Sequence, residues 1–276
     1  RALSLYTVAG TCGYAIGPLA ATALLTMFGP RGTGVLIVPG VIVAALLARR
    51  MRLVERVRAA RAALTADAAR VRPAWGPLAR VIGVTMLRSW VALAALQFIP
   101  LWYANLGYDR TFYGPLTTAM ILAGAIGTLL GGHLADRVGQ RRIVVASLTL
   151  LTPLVLLFAG FPGPLAFLTA PALSIASDSS LSVTLVMAQS LVPGRIGVAS
   201  GMILGLGFIT GGIGVPITGW VADQIGFQGA MVSLALIAAA AALLALTIPS
   251  DARMAARMAT LAPPAVPEPA VAGARR

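Results

Sequence analysis

Residues 131–160 read Gly131-Gly-His-Leu-Ala-Asp136-Arg137-Val-Gly139-Gln-Arg141-Arg142-Ile143-Val-Val-Ala-Ser-Leu-Thr-Leu-Leu-Thr-Pro-Leu-Val-Leu-Leu-Phe-Ala-Gly160. A short basic turn gives way to an apolar run that carries no charge from Ile143 to Gly160. A helix rising about 1.5 Å per residue needs roughly 20 such residues to cross about 30 Å of hydrocarbon. The run is longer than the roughly 9 to 11 residues of a barrel strand and lacks sustained alternation. It predicts a transmembrane helix entered from a basic loop.

The same pattern extends in both directions. Apolar runs cover 3–28, 32–48, 78–103, 112–132, 143–160, 165–189, 197–220 and 227–248. They predict an all-α, polytopic transmembrane bundle with eight spans. The chain has 21 basic and 8 acidic residues and a formal net charge of +13. The basic groups lie between Arg49 and Arg80, at Arg137, Arg141 and Arg142, at Arg195, and in the tail from Arg253 to Arg276. These groups follow alternate spans, whereas the opposite loops hold only Arg31 and Arg110. The positive-inside rule therefore predicts that Arg1 and the C-terminal tail are cytoplasmic, with the chain in the cell inner membrane.

Charge distributed in this way argues against nucleic acid, which would need a folded reader or an aromatic platform. The lone Cys12 lies inside a span, so neither a disulfide framework nor a metal site is supported, and no cofactor is expected. His133, the single histidine, reads as a helix-end residue. No zinc-protease helix, phosphate-binding loop or Ser-His-acid set occurs, which argues against an enzyme and against an ATP-driven pump. Arg1 is not a methionine and no charged region precedes the opening apolar run, so the chain is expected either to lack upstream membrane helices or to have been trimmed.

Two glycine-proline runs echo each other. Gly13-Tyr-Ala-Ile-Gly17-Pro18 recurs roughly 200 residues later as Gly207-Phe-Ile-Thr-Gly211-Gly-Ile-Gly214-Val-Pro216, which is followed by a turn from Asp223 to Gly226. The echo predicts two six-helix units, twelve spans in the parent, of which the first is present in part. Gly201, Gly205 and Gly212, with Gly207, Gly211 and Gly214 between them, remove bulk along one span. Pro216 removes a backbone donor there. The segment suits either a gate that repacks or a static close contact. In the turn at 131–142, Gly132 and Gly139 permit a tight approach. Asp136 accepts charge-assisted bonds, and Arg137, Arg141 and Arg142 hold helix ends or lipid headgroups.

Two ionisable residues stand deep inside spans. Arg88 and Asp178 each lie roughly 15 to 20 Å along a helix, near the midplane, where charge is costly unless it faces a wet cavity or a partner. Arg88 can clamp a carboxylate or phosphonate, with Asp178 neutralising it between turnovers or taking up a proton. The alternative is a structural Arg88–Asp178 pair. Gln97 can hydrogen-bond a solute, and Trp102 and Tyr103 read as interface anchors. The Ser-rich stretch 174–182 either solvates a pore or binds helices. The basic stretch 49–77 is long enough for an amphipathic helix on the membrane surface.

The order Gly, Asp136-Arg137, Gly139, Arg141-Arg142 resembles the signature loop of the major facilitator superfamily, with Gln140 where a basic residue is common. The run Ala188-Gln189-Ser-Leu-Val-Pro193-Gly194-Arg195-Ile-Gly197 and the glycines after it are similar to the fosmidomycin-resistance branch. Gly17-Pro18 is similar to the Gly-Pro motif of the fifth helix of superfamily exporters. The resemblance covers nearly all of the chain up to about residue 250. It implies that the spans correspond to the family's fifth to twelfth helices, with Arg88 and Asp178 on cavity-lining ones. It divides the chain into 1–48 from the N-terminal half, a cytoplasmic linker 49–77, the C-terminal six-helix half 78–249 and a flexible tail 250–276. It implies a monomeric secondary transporter in the lipid bilayer that exports small, anionic compounds or drugs in exchange for protons by alternating access. An uptake symporter and a non-transporting membrane scaffold are the other readings.

Overall fold

The structure is a computed structural model and describes residues 24, 27–50, 73–254 and 256. Cys12, Gly17, Pro18, nearly all of the first expected span, most of the linker and the tail beyond 256 lie outside the described residues. So does one member of the glycine-proline echo.

The expected eight spans of twelve are corrected. Among the described residues five helices are long and apolar enough to cross a membrane. They are α1 (Trp75–Asn105), α2 (Arg110–Val138), α3 (Gln140–Gly160), α4 (Ala166–Leu191) and α5 (Ile196–Leu246). The apolar run 32–48 falls in a short 3-10 helix, Pro30–Leu36, followed by helical residues 37–50, which is not among those five. The runs 197–220 and 227–248 both fall within α5, as two helical arms joined at Gly226, where the backbone leaves helical φ and ψ.

α5 nevertheless reverses direction. At Gly226 the backbone takes φ 79 and ψ 167, a region that essentially only glycine enters. On one arm Gly207 lies against Thr85 and Ser89 of α1, and on the other Leu244 lies against Gly83. In a straight helix residues 207 and 244 would stand about 55 Å apart. Both arms therefore flank the same stretch of α1, and the bend falls at the end of the turn read from Asp223 to Gly226.

The remaining corners follow from local chemistry. Asp109 caps α2, its Oδ2 accepting from the Thr111 hydroxyl at 3.0 Å and from the Thr111 backbone N–H at 3.4 Å. Gly139 alone separates α2 from α3, at φ 107, and a Cβ there would stand 2.6 Å from Asp251 Oδ2. α1 packs chiefly on α5, and α2 on α4, while α3 bridges α4 and α5. Small residues form the two main seams. Gly127 and Gly131 of α2 admit the backbone of Ile175 and Ser179 of α4, and Gly207, Gly211 and Gly214 of α5 admit Ser89, Leu93 and Trp90 of α1.

At the end away from Gly139, aromatic rings join four helices. Tyr103 stacks on Phe112 with centroids 5.3 Å apart, Trp102 meets Phe158 edge-on at 5.5 Å, and Phe112 meets Phe167 at 5.1 Å. The Tyr103 hydroxyl accepts from Gly163 N–H at 3.2 Å. Trp102 and Tyr103 are buried rather than placed at the lipid interface, because their neighbours on α2, α3 and α4 cover them. The outward faces of α2 and α5 instead show Leu122, Ile126, Phe208 and Ile213, as hydrocarbon surroundings allow.

Candidate functional site: a charged pair at the centre of the bundle

Arg88 stands close to the middle of α1, and Asp178 and Gly124 stand at the middles of α4 and α2. The three meet. Arg88 Nη1 donates to Asp178 Oδ1 at 3.0 Å and more distantly to Ser177 Oγ at 3.5 Å, and Nη2 donates to Ser89 Oγ at 3.0 Å. Arg88 Nε is buried without a partner among the described residues. The other carboxylate oxygen, Asp178 Oδ2, occupies the place that a Cβ on Gly124 would take. Glycine at 124 is what lets the carboxylate sit between α1 and α2.

The partners differ in access. The Arg88 side chain is 5 % exposed and that of Asp178 is 32 % exposed. The guanidinium is therefore the more enclosed member of the pair and the carboxylate the more exposed one. An ion pair inside an apolar helix bundle is tolerated because each charge offsets the other's desolvation, and removing one member strands the other.

Gln97 does not join the pair. Nine residues at about 100° each place it on the side of α1 opposite Arg88, and it is exposed. The serines around Asp178 are occupied locally: Ser179 Oγ donates to Ile175 O at 2.6 Å and Ser180 Oγ to Ser177 O at 2.8 Å. Ser182 Oγ reaches Thr128 O of α2 at 3.0 Å, so the stretch contributes to helix joining. Gln189 Nε2 ties α4 to Ser200 of α5 at 2.9 Å. Trp90 Nε1 donates to Thr218 Oγ1 at 3.0 Å.

Among the candidate gating residues, Gly205 and Gly212 have open space where a Cβ would be, and Pro216 is exposed. Gly132 has only Ser182 Oγ nearby, at 3.7 Å. In the basic turn the contacts run through Arg141. Its Nε donates to Ile248 O at 2.6 Å, its Nη2 to Leu246 O at 2.8 Å, and its backbone N–H to Asp251 Oδ1 at 3.2 Å. Arg141 thereby supplies donors to carbonyls left open at the end of α5. Asp136, Arg137 and Arg142 are exposed and make no side-chain hydrogen bond or ion pair among the described residues.

Two residues at these junctions escaped the reading of the chain, Gly124 and Asp251. Gly124, Gly127 and Gly131 recur at spacings of three and four opposite a serine-rich helix, a signal visible in the sequence once both stretches are set side by side. Asp251 carries no such mark, because its role rests on the proximity of the α3 start to the α5 end.

Among the described residues no group of three or more His, Cys, Asp or Glu side chains is placed to hold a metal ion. The sequence matches the Major Facilitator Superfamily over residues 81–268. It is 42% identical over 135 residues to an uncharacterized MFS-type transporter, YfnC, of Bacillus subtilis (strain 168), an alignment covering 49% of this chain and 32% of the relative. It is 24% identical over 236 residues to the fosmidomycin resistance protein of Escherichia coli (strain K12), covering 82% of this chain and 57% of that protein. The chain thus spans less than two thirds of the length of either relative. The match extends across all five membrane helices and includes both members of the central ion pair, and on that ground the chain belongs to the Major Facilitator Superfamily.

Proposed function

We propose that the protein is a secondary active transporter of small, anionic solutes, exporting them in exchange for protons by alternating access. The observation that carries this reading is the Arg88–Asp178 pair at the helix midpoints, with the carboxylate the more accessible partner. With Asp178 ionised, its carboxylate holds the Arg88 guanidinium. A solute carboxylate or phosphonate competes with Asp178 for that guanidinium, which can donate two parallel hydrogen bonds to it. The internal pair thereby makes solute binding depend on the charge of Asp178, a link between proton and solute that needs no nucleotide hydrolysis.

Residues 78–249 would supply one half of the rocking unit, with 49–77 as its cytoplasmic link. The likeness to the fosmidomycin resistance protein, across 82% of this chain, supports placement beside that branch and a phosphonate as the first substrate to try. The test is fosmidomycin accumulation in inside-out vesicles under an imposed proton gradient. Saturable, gradient-dependent uptake that Arg88→Ala abolishes supports the reading. Uptake that Arg88→Ala leaves intact removes the pair from the mechanism. Accumulation without a proton gradient removes the coupling.

A further inference from the structure

A cavity of about 500 Å³ opens at the end of the bundle where α1 begins and α4 and α5 end, remote from the central pair. Three guanidinium side chains line it: Arg80 of α1, Arg141 of α3 and Arg253, beyond α5. The hydroxyl-bearing Thr247 and Ser250 also line it, and the rest of the wall is apolar, Leu191 and Ile248 included. Among the described residues no carboxylate lines it. Asp251, the nearest acid in sequence, is not among the lining residues, and one of its oxygens is held by the Arg141 backbone N–H while the other lies beside Gly139.

The arginines keep spare donors. A guanidinium offers five N–H groups. Arg80 uses one on Thr247 O at 3.1 Å, and Arg141 uses two on the carbonyls of Leu246 and Ile248. These bonds fix both groups in place while leaving their remaining N–H groups available. Two anchored guanidiniums and the exposed Arg253 around a cavity with an apolar wall match an oxyanion that has several acceptor oxygens and a greasy neighbour. The cavity lies at the helix ends, where headgroups meet the hydrocarbon, and Trp75 at this end is 57 % exposed, as an interfacial aromatic is.

We infer that this cavity is a binding site for a phosphate group, that of an anionic phospholipid headgroup or free inorganic phosphate. The bound anion bridges α1, α3 and the segment after α5, and so braces the end of the bundle that Arg141 and Arg80 already join.

The test uses the purified protein in nanodiscs and in detergent. Native mass spectrometry counts retained phosphatidylglycerol against phosphatidylcholine, and thermal unfolding is followed with each lipid and with inorganic phosphate. Retention of phosphatidylglycerol over phosphatidylcholine is expected, together with a rise in the unfolding temperature. Arg253→Gln, at an exposed side chain, is expected to weaken that retention about tenfold, as loss of one charge-assisted bond does. Arg80→Gln is expected to do the same. A lipid effect without a phosphate effect identifies the headgroup as the source, and protection by phosphate alone identifies the free anion. Equal retention of the two lipids without phosphate protection overturns the site, as does retention that neither variant changes.

Discussion

At the scale of single residues, the central pair is asymmetric in a way that predicts unequal costs. Asp178→Asn leaves a guanidinium that is 5 % exposed without its counter-charge. Breaking a buried pair in this sense costs about 3–5 kcal/mol. Arg88→Gln leaves a carboxylate that is one-third exposed and can be hydrated, so it is expected to be the milder change. Equilibrium unfolding of both variants in the same detergent orders them, and the reverse order would show that Arg88 is not the enclosed partner. Gly124→Ala places a methyl group where Asp178 Oδ2 now sits, and overpacking of this kind costs about 1–3 kcal/mol. Gly205→Ala, which meets open space, is expected to be neutral or to gain the roughly 0.5–1 kcal/mol that alanine holds over glycine in a helix. A comparison of the two melting curves separates a packing glycine from a spacer. Arg88 and Asp178 were legible in the sequence because charge inside an apolar run is conspicuous. Gly124 was not, because its importance lies in the carboxylate opposite.

At the scale of elements, the start of α2 carries a titratable cap. The Asp109 carboxyl lies below its usual range because hydrogen bonds from the backbone N–H of Arg110, then from the Thr111 hydroxyl and backbone N–H, favour its ionised form. A carboxyl depressed by folding contributes stability that is present above its unfolded value and is lost as pH falls through the folded one. Asp109→Asn is therefore expected to unfold at a lower temperature than the parent at neutral pH, with the difference closing in acid below the ordinary carboxylate range. A difference that stays constant with pH would assign the cap to shape rather than charge. The same scale shows why span counting failed. α5 is apolar on both sides of Gly226, and the run limits at 220 and 227 bracket the residues around the point where its backbone leaves helical φ and ψ. The turn itself was readable, since Gly226 supplies the positive φ that other residues resist.

At the scale of the whole molecule, Arg80, Arg137, Arg141, Arg142, Arg195 and Arg253 gather at one end of the bundle, and Arg110 is at the other. The positive-inside rule then predicts that the Arg141 end faces the cytoplasm. In a Cys12→Ser background, a membrane-impermeant thiol reagent applied to intact cells is expected to label Arg110→Cys and to spare Arg142→Cys. Labelling of Arg142→Cys alone would invert the topology. Membrane residence, helical class and the alternation of basic loops were determined by the sequence alone, because hydropathy, run length and charge are sums over neighbouring residues. Tertiary structure alone decided that Arg88 is enclosed and Asp178 accessible, that Gly207, Gly211 and Gly214 rather than Gly205 and Gly212 make the seam, and that Arg80, Arg141 and Arg253 share one cavity. Each of these depends on which face of one helix meets which face of another, and periodicity in a nearly uniform apolar helix does not encode that choice.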